Sequence, residues 1–185
     1  MKKLIAFLIM LSAVFSSAEI YAITPEEVYS FDLTEKSGVS EEMLEKALLK
    51  NLSPLAKEFV LAEKNHGVNA IFLAAVAALE SGWGEYCFRE NNIFGWSGKS
   101  FSSKEECIDF VASKIAENYL SEDGKYHNGK NISGVNICYN GSRFWEEKVA
   151  EIMLMISKRC KNFEENEKDL SLFKGAEDAF FTSFR

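Results

Sequence analysis

With 185 residues and 47% apolar content, the chain is long enough for one domain with a proper core. Its formal charge of -7 gives no electrostatic footprint for nucleic acid, for an anionic membrane surface or for anionic wall polymers. Neither nucleic acid nor membrane is therefore expected as a partner, and binding must rest on stacking and hydrogen bonds.

Lys2 and Lys3 precede an apolar stretch from Leu4 to Phe15, and small residues follow at Ser16, Ser17, Ala18 and Ala22. A basic start, a short apolar run and small residues in that order form a secretory signal peptide, too short in its apolar part to span a membrane. Residues 1–22 are assigned to it, with cleavage after Ala22 as first choice and after Ala18 as second. Its removal takes Lys2, Lys3 and Glu19 and moves the formal charge from -7 to -8. No later stretch approaches the roughly 20 apolar residues of a spanning helix. The expected product is exported (periplasm, cell wall or secreted) and monomeric.

Residues 23–52 read as an N-terminal arm and helix. The arm, from Ile23 to Gly38, is mixed and acidic and is expected to pack loosely; Ser40 can cap a helix through Lys50, with Met43, Ala47 and Leu48 on one face. Residues 53–160 read as the main domain. Ser53-Pro54 starts a second helix that Asn65-His66-Gly67 ends, and Asn69 caps the apolar run Ala70 to Leu79. Glu85 to Ser102 holds the turn-forming residues and reads as loop. Ser103-Lys104-Glu105-Glu106 fits a capping box opening a helix to about Leu120, which Asp123-Gly124 breaks. Asn128 to Asn140 reads as loop. Ser142 caps a last helix through about Lys158, with Phe144, Val149, Ile152, Met153 and Ile156 at helical spacing. Five or so helices with hardly any strand make a mainly α fold. The tail, residues 161–185, ends in Phe180-Phe181-Thr182-Ser183-Phe184, aromatics that can dock on the core or on a partner, with the core as first choice.

The most informative feature is a carboxylate at the end of a wholly apolar helix. Ala70 to Leu79 carries no polar side chain and then meets Glu80, followed by Ser81-Gly82-Trp83-Gly84. A helix apolar all round is normally buried, so Glu80 is carried to the edge of a core. Burial disfavours the charged carboxylate, and the negative end of the helix dipole pushes the same way. A carboxylic acid kept protonated near neutrality is what glycosidic cleavage requires of its general acid. Downstream, Asn92, Phe94, Gly95 and Trp96 are expected to shape a glycan groove, with Trp83 near: aromatic rings stack on sugar C–H faces, and an Asn amide offers both a donor and an acceptor. Trp83 is equally compatible with a place in the core.

Leu79-Glu80-Ser81-Gly82-Trp83-Gly84 and Asn91-Asn92-Ile93-Phe94-Gly95-Trp96 together resemble the bacterial endo-beta-N-acetylglucosaminidase family that cuts peptidoglycan glycan strands. The chain departs from that family's pattern in having Ile93 where Leu is usual and Trp96 after the glycine. Ser100 to Tyr119 is similar to the family's serine-rich entry into a helix. Tyr139-Asn140-Gly141-Ser142 through Trp145 and Lys148-Val149 is similar to its closing tyrosine and last core helix. The resemblance covers about Leu55 to Ile156 and implies a lysozyme-like α-helical domain with little or no β lobe, acting on peptidoglycan glycan strands. It also implies that Tyr139 faces the cleft beside Glu80, where a phenol can hydrogen-bond the N-acetyl oxygen or developing charge.

Glycosidases usually need a second carboxylate. Glu85, Glu90, Glu105, Glu106, Asp109, Glu122 and Asp123 all follow Glu80, and none has its apolar context. Many relatives carry further acids in a strand-rich lobe after the Phe-Gly loop, but Trp96 to Ser102 contains none. One-acid chemistry assisted by the substrate's own N-acetyl group is the alternative.

Three rivals remain. A lytic transglycosylase or muramidase-type lysozyme would also use one glutamate at a helix end, although transglycosylases usually continue with a Gly-Leu-Met-Gln-like segment. A catalytically inactive glycan-binding module is the second. A cysteine peptidase using Cys87 or Cys138 with His66 or His127 is the third, and nothing in the spacing brings thiol and base together. The four cysteines, Cys87, Cys107, Cys138 and Cys160, allow one or two disulfides in an exported protein, with three full connectivities; four unpaired thiols fit equally. There is no Cys-x-x-Cys pair, and neither a metal nor a cofactor is expected.

Overall fold

The computed structural model describes residues 23–182, and side chains as far as 168. The expected signal peptide, residues 1–22, and the expected docking of the last aromatic side chains of the tail lie outside what it describes. The described residues form six α-helices: α1 (Glu41–Ala47), α2 (Ala56–His66), α3 (Ala70–Ser81), α4 (Lys104–Ile115), α5 (Ile132–Tyr139) and α6 (Arg143–Thr182). Among the described residues there is no strand. None of the described helices is long and apolar enough to cross a membrane.

The apolar helix α3 is the centre. Every residue from Ala70 to Ala78 is buried, so a helix without a polar face has protein on all sides. Asn69 caps it, its side chain accepting from the Phe72 N–H at 3.1 Å while donating to the Glu35 carbonyl at 2.9 Å. Glu63 Oε2 accepts from the Ala70 N–H at 2.8 Å, placing a carboxylate at the positive end of the α3 dipole. α3 ends at Gly82 in the left-handed conformation.

α6 packs along α3 and α1. Trp145, Val149, Met153, Ile156 and Cys160 are its buried stripe. Val149, Met153 and Ile156 are inward as their spacing suggested, but Phe144 is 64% exposed and Trp145 is the inward aromatic of the first turn. Arg159 closes the end of α1 by donating to the Ala47 carbonyl at 3.0 Å, a cation on the carbonyls where the helix dipole is negative.

Several expectations need correction. The 23–38 arm is not loosely packed: Ile23, Val28, Phe31 and Leu33 belong to the same core as α3 and α6. Leu33 also bridges two distant segments, its N–H donating to the Lys130 carbonyl (2.7 Å) and its carbonyl accepting from the Asn69 N–H (2.8 Å). Acidic neighbours dilute this apolar pattern in the sequence. Around Pro54 the chain forms a 3-10 turn, Lys50–Leu55, before α2 begins. The capping box of α4 is shifted: Ser103 accepts from the Glu106 N–H as expected, but the Glu106 carboxylate reaches back to Ser102 rather than Ser103.

The segment Asn128–Asn140 is not loop but holds α5. Asn131 caps it by accepting from the Gly134 N–H at 2.8 Å. Gly134 lies so close to the backbone of Asn128 and Gly129 that a Cβ there would meet carbonyl oxygens at 2.6 Å, a contact only glycine avoids. Residues 161–182 continue α6 instead of forming a separate tail. All four cysteines are free thiols.

Candidate active site

Four pieces of chain enclose a cleft of about 300 Å³: the end of α3, the loop Phe94–Ser97, Tyr119, and the end of α5 from Cys138 to Asn140. Glu80 lies in its wall. The side chain is open to solvent on the cleft side, yet the protein packed around its carboxyl raises its pKa above the ordinary carboxylate value. A hydrogen bond from Trp145 acts in the opposite, smaller sense. The indole Nε1–H of Trp145 donates to Glu80 Oε1 at 2.7 Å. Glu80 Oε2 lies on the side of Gly95, where a Cβ would come within 3.6 Å of it. Gly95 also has φ +63, a left-handed conformation that suits glycine.

Tyr139 closes the cleft opposite the loop. Its ring packs against Trp96 at 6.0 Å, Tyr119 at 6.1 Å and Trp145 at 5.1 Å between centroids. The hydroxyl donates to the Phe94 carbonyl at 3.3 Å, tying α5 to the loop. Burial, with Glu80 nearby, keeps this phenol protonated well above its usual range. Trp96 is half-buried, lines the cleft and meets Phe110 edge-on at 6.4 Å between centroids. Its exposed part is an aromatic face of the kind on which a sugar stacks.

The other sequence candidates have different jobs. Asn92 is buried, and its side chain is spent within the loop. It donates to the carbonyls of Trp96 (3.0 Å) and Lys99 (2.8 Å) and accepts from the Trp96 N–H (2.9 Å). It shapes the loop and does not line the cleft. Phe94 borders the cleft, but its side chain is 2% exposed and belongs to the core. Trp83 does not line the cleft; it packs against the core beyond α3, its carbonyl accepting from the Asn51 N–H at 3.2 Å. Ser81 is likewise structural, donating to the Ala77 carbonyl and accepting from the Gly84 N–H.

Two cleft features were missed from sequence. In sequence Trp145 reads only as part of a core helix, and its donor atom gives no signal. Tyr119 reaches the cleft from a π-helical turn, Ala116–Leu120, closed by the Ser121 N–H on the Ala116 carbonyl. Such turns often occur at functional sites, but nothing local in the sequence marks this one.

No second carboxylate lines this cleft among the described residues. Glu85 pairs with Lys50, Asp109 with His66, Glu122 with Lys130, and Glu106 is bound to Ser102. A thiol nucleophile lacks its base as well. His66 is bound to Asp109, and His127 contacts the Tyr119 carbonyl.

Comparison with known proteins agrees with this geometry. The family model described as "Mannosyl-glycoprotein endo-beta-N-acetylglucosaminidase" matches residues 56–158. Two proteins of Streptococcus pneumoniae strains, each named "Putative endo-beta-N-acetylglucosaminidase", are 33% identical over 148 residues. Those matches cover 69% of this chain but only 22% and 20% of the relatives' lengths. Among solved structures, a catalytic mutant of Staphylococcus aureus Autolysin E in complex with the disaccharide NAG-NAM matches with TM-score 0.61 and 23% identity. The match covers 74% of this chain and 73% of that one. The same protein in complex with the muropeptide NAM-L-Ala-D-iGlu matches equally. These likenesses show the fold, a lysozyme-like α-helical domain. By the match over residues 56–158, the chain belongs to the glucosaminidase family of glycoside hydrolases.

Proposed function

We propose that this chain is a peptidoglycan hydrolase that cleaves the glycan strand at N-acetylglucosaminyl bonds, with Glu80 as the general acid. The observation that carries this reading is the placement of Glu80. It is an acid with a raised pKa, open on one side to a cleft with aromatic walls, at the end of a helix that packing on every side holds still. A raised pKa is the direction of shift that a general acid requires, and its cause is the protein packed around the carboxyl. The saccharide and muropeptide held by the solved relatives support a glycan substrate. Export after removal of residues 1–22 would bring the enzyme to that substrate.

Trp96 supplies a stacking face, and Gly95 leaves room beside Glu80 Oε2. Tyr139 is the second catalytic group in this reading. Its hydroxyl makes a long 3.3 Å bond to the Phe94 carbonyl and can turn to the N-acetyl oxygen of a bound sugar. With no other acid lining the cleft among the described residues, the substrate's own N-acetyl group takes the part of the second carboxylate.

A lytic transglycosylase is the second reading, since a cleft with one acid suits that chemistry too. Digestion of purified peptidoglycan separates the two. Hydrolysis by the proposed route leaves a new reducing N-acetylglucosamine end, readable by mass spectrometry after borohydride reduction. Anhydro-sugar ends would assign the transglycosylase reaction, and reducing N-acetylmuramic acid ends the muramidase.

A further inference from the structure

Glu80 has one hydrogen-bond partner among the described residues, the indole N–H of Trp145 on Oε1 at 2.7 Å. Trp145 stands on the first turn of α6, is 3% exposed, and lies against the ring of Tyr139. Its ring is held by the packing of α6 on α3, so the donor is fixed in place. An indole N–H can donate but cannot accept. When Glu80 is protonated, the carbonyl-type oxygen is the better acceptor for that N–H, which favours Oε1 as the carbonyl-type oxygen and the proton on Oε2. Oε2 is the oxygen on the side of Gly95 and the cleft.

We propose that Trp145 is a positioning residue, one that assigns the acid proton of Glu80 to the cleft-facing Oε2 and holds the carboxylate left behind once that proton is given away. The proposal rests on the reading of Glu80 as general acid. In the step it serves, the Oε2–H bond breaks and a bond forms from that proton to the glycosidic oxygen. The electron pair of the cleaved C–O bond leaves with that oxygen, and water later discharges the sugar carbon. The negative charge stays on Glu80, where a hydrogen bond to an ionised acceptor is roughly twice as strong as a neutral one. The indole bond is thus worth more after proton transfer than before it, which is the condition for helping the reaction rather than only binding.

The cleft wall leaves little else to do this. The titratable groups facing Glu80 are Tyr139 and Cys138 from α5 and Tyr119 from the π-helical turn. The Phe94–Ser97 loop has none, and Trp145 itself does not titrate. Among the described residues no Lys, Arg or His and no second acid lines the cleft.

The test measures kcat and KM against pH on soluble glycan fragments for three proteins. These are the wild type, Trp145→Phe, and the enzyme carrying 3-benzothienyl-alanine at position 145, which keeps the bicyclic ring but has sulfur for N–H. Loss of the donor should lower kcat about tenfold with KM nearly unchanged, the scale of one hydrogen bond to a charged group. It should also move the basic limb of the profile to higher pH, because the bond favours the carboxylate. In a Glu80→Gln background the same changes should add no further loss. A sulfur isostere with wild-type kcat and pH profile overturns the proposal while leaving Glu80 in place, and it decides the matter alone if Trp145→Phe does not fold. A fully active Glu80→Gln enzyme instead overturns the reading of Glu80, and this proposal with it.

Discussion

Single residues in the cleft divide by where their side chains end. Phe94 and Trp96 stand two positions apart in one loop, yet Phe94 is core and Trp96 is half-open to the cleft. Phe94→Ala should cost about 3–5 kcal/mol of stability, as for other buried aromatics, and calorimetry should show the fall in melting temperature. Trp96→Ala should leave the melting temperature far less changed and raise KM for glycan. Tyr139→Phe keeps the ring stack but removes the hydroxyl, and should lower kcat up to about tenfold, the scale of one neutral hydrogen bond. Wild-type kcat in Tyr139→Phe would reduce that residue to a wall and a tether for the Phe94 carbonyl. Equal losses of stability in the two loop variants would show that Trp96, too, is core.

At the scale of elements, the Asn91–Lys99 loop is organised from within by one buried amide. Asn92 satisfies three backbone groups there, so the loop carries its own template in place of a strand or helix. Asn92→Ala strands buried donors and acceptors and should cost about 3 kcal/mol, the upper range for one unsatisfied group. Activity should fall with stability, because Gly95 and Trp96 lose their positions together. Loss of glycan binding at an unchanged melting temperature would instead return Asn92 to the role of a sugar contact. α3 and α6 are the rigid counterpart of this loop: one carries Glu80, the other Trp145, and their packing sets the 2.7 Å contact.

For the whole molecule, what was legible in sequence is what short-range chemistry decides. Ser40, Asn69 and Ser103 cap the helices they were expected to cap, because a cap is a bond to an N–H three residues on. The burial of α3 followed from its having no polar side, and with it the position of Glu80. Features set by distant contacts were not legible. α5 was missed because Asn, Gly and Ser within 128–140 read as turn formers, while its glycine is needed for close backbone approach. The arm was missed because Leu33 is bound to Lys130 and Asn69, far along the chain. Trp145 was missed as a partner of Glu80 because 65 residues separate them and only the packing of α6 on α3 brings the two together. Asn92 was expected to shape the groove, and its amide is bonded to loop backbone: the sequence shows an amide near an acid and not which way it faces.

The central claim is that one carboxylate, Glu80, does the acid chemistry of this cleft. Its most direct test is the rate of release of new reducing ends from purified peptidoglycan by Glu80→Gln. Single Ala variants at Glu85, Glu90, Glu105, Glu106, Asp109, Glu122 and Asp123 are measured beside it, with each fold checked by circular dichroism. Glutamine keeps the shape and can still accept from Trp145, but it has no acidic proton to give. Glu80→Gln should lose at least about a hundredfold in rate, the low end for a general acid, and the other variants should lose much less. Near-normal turnover in Glu80→Gln, or a folded but inactive variant among the other acids, would contradict the account.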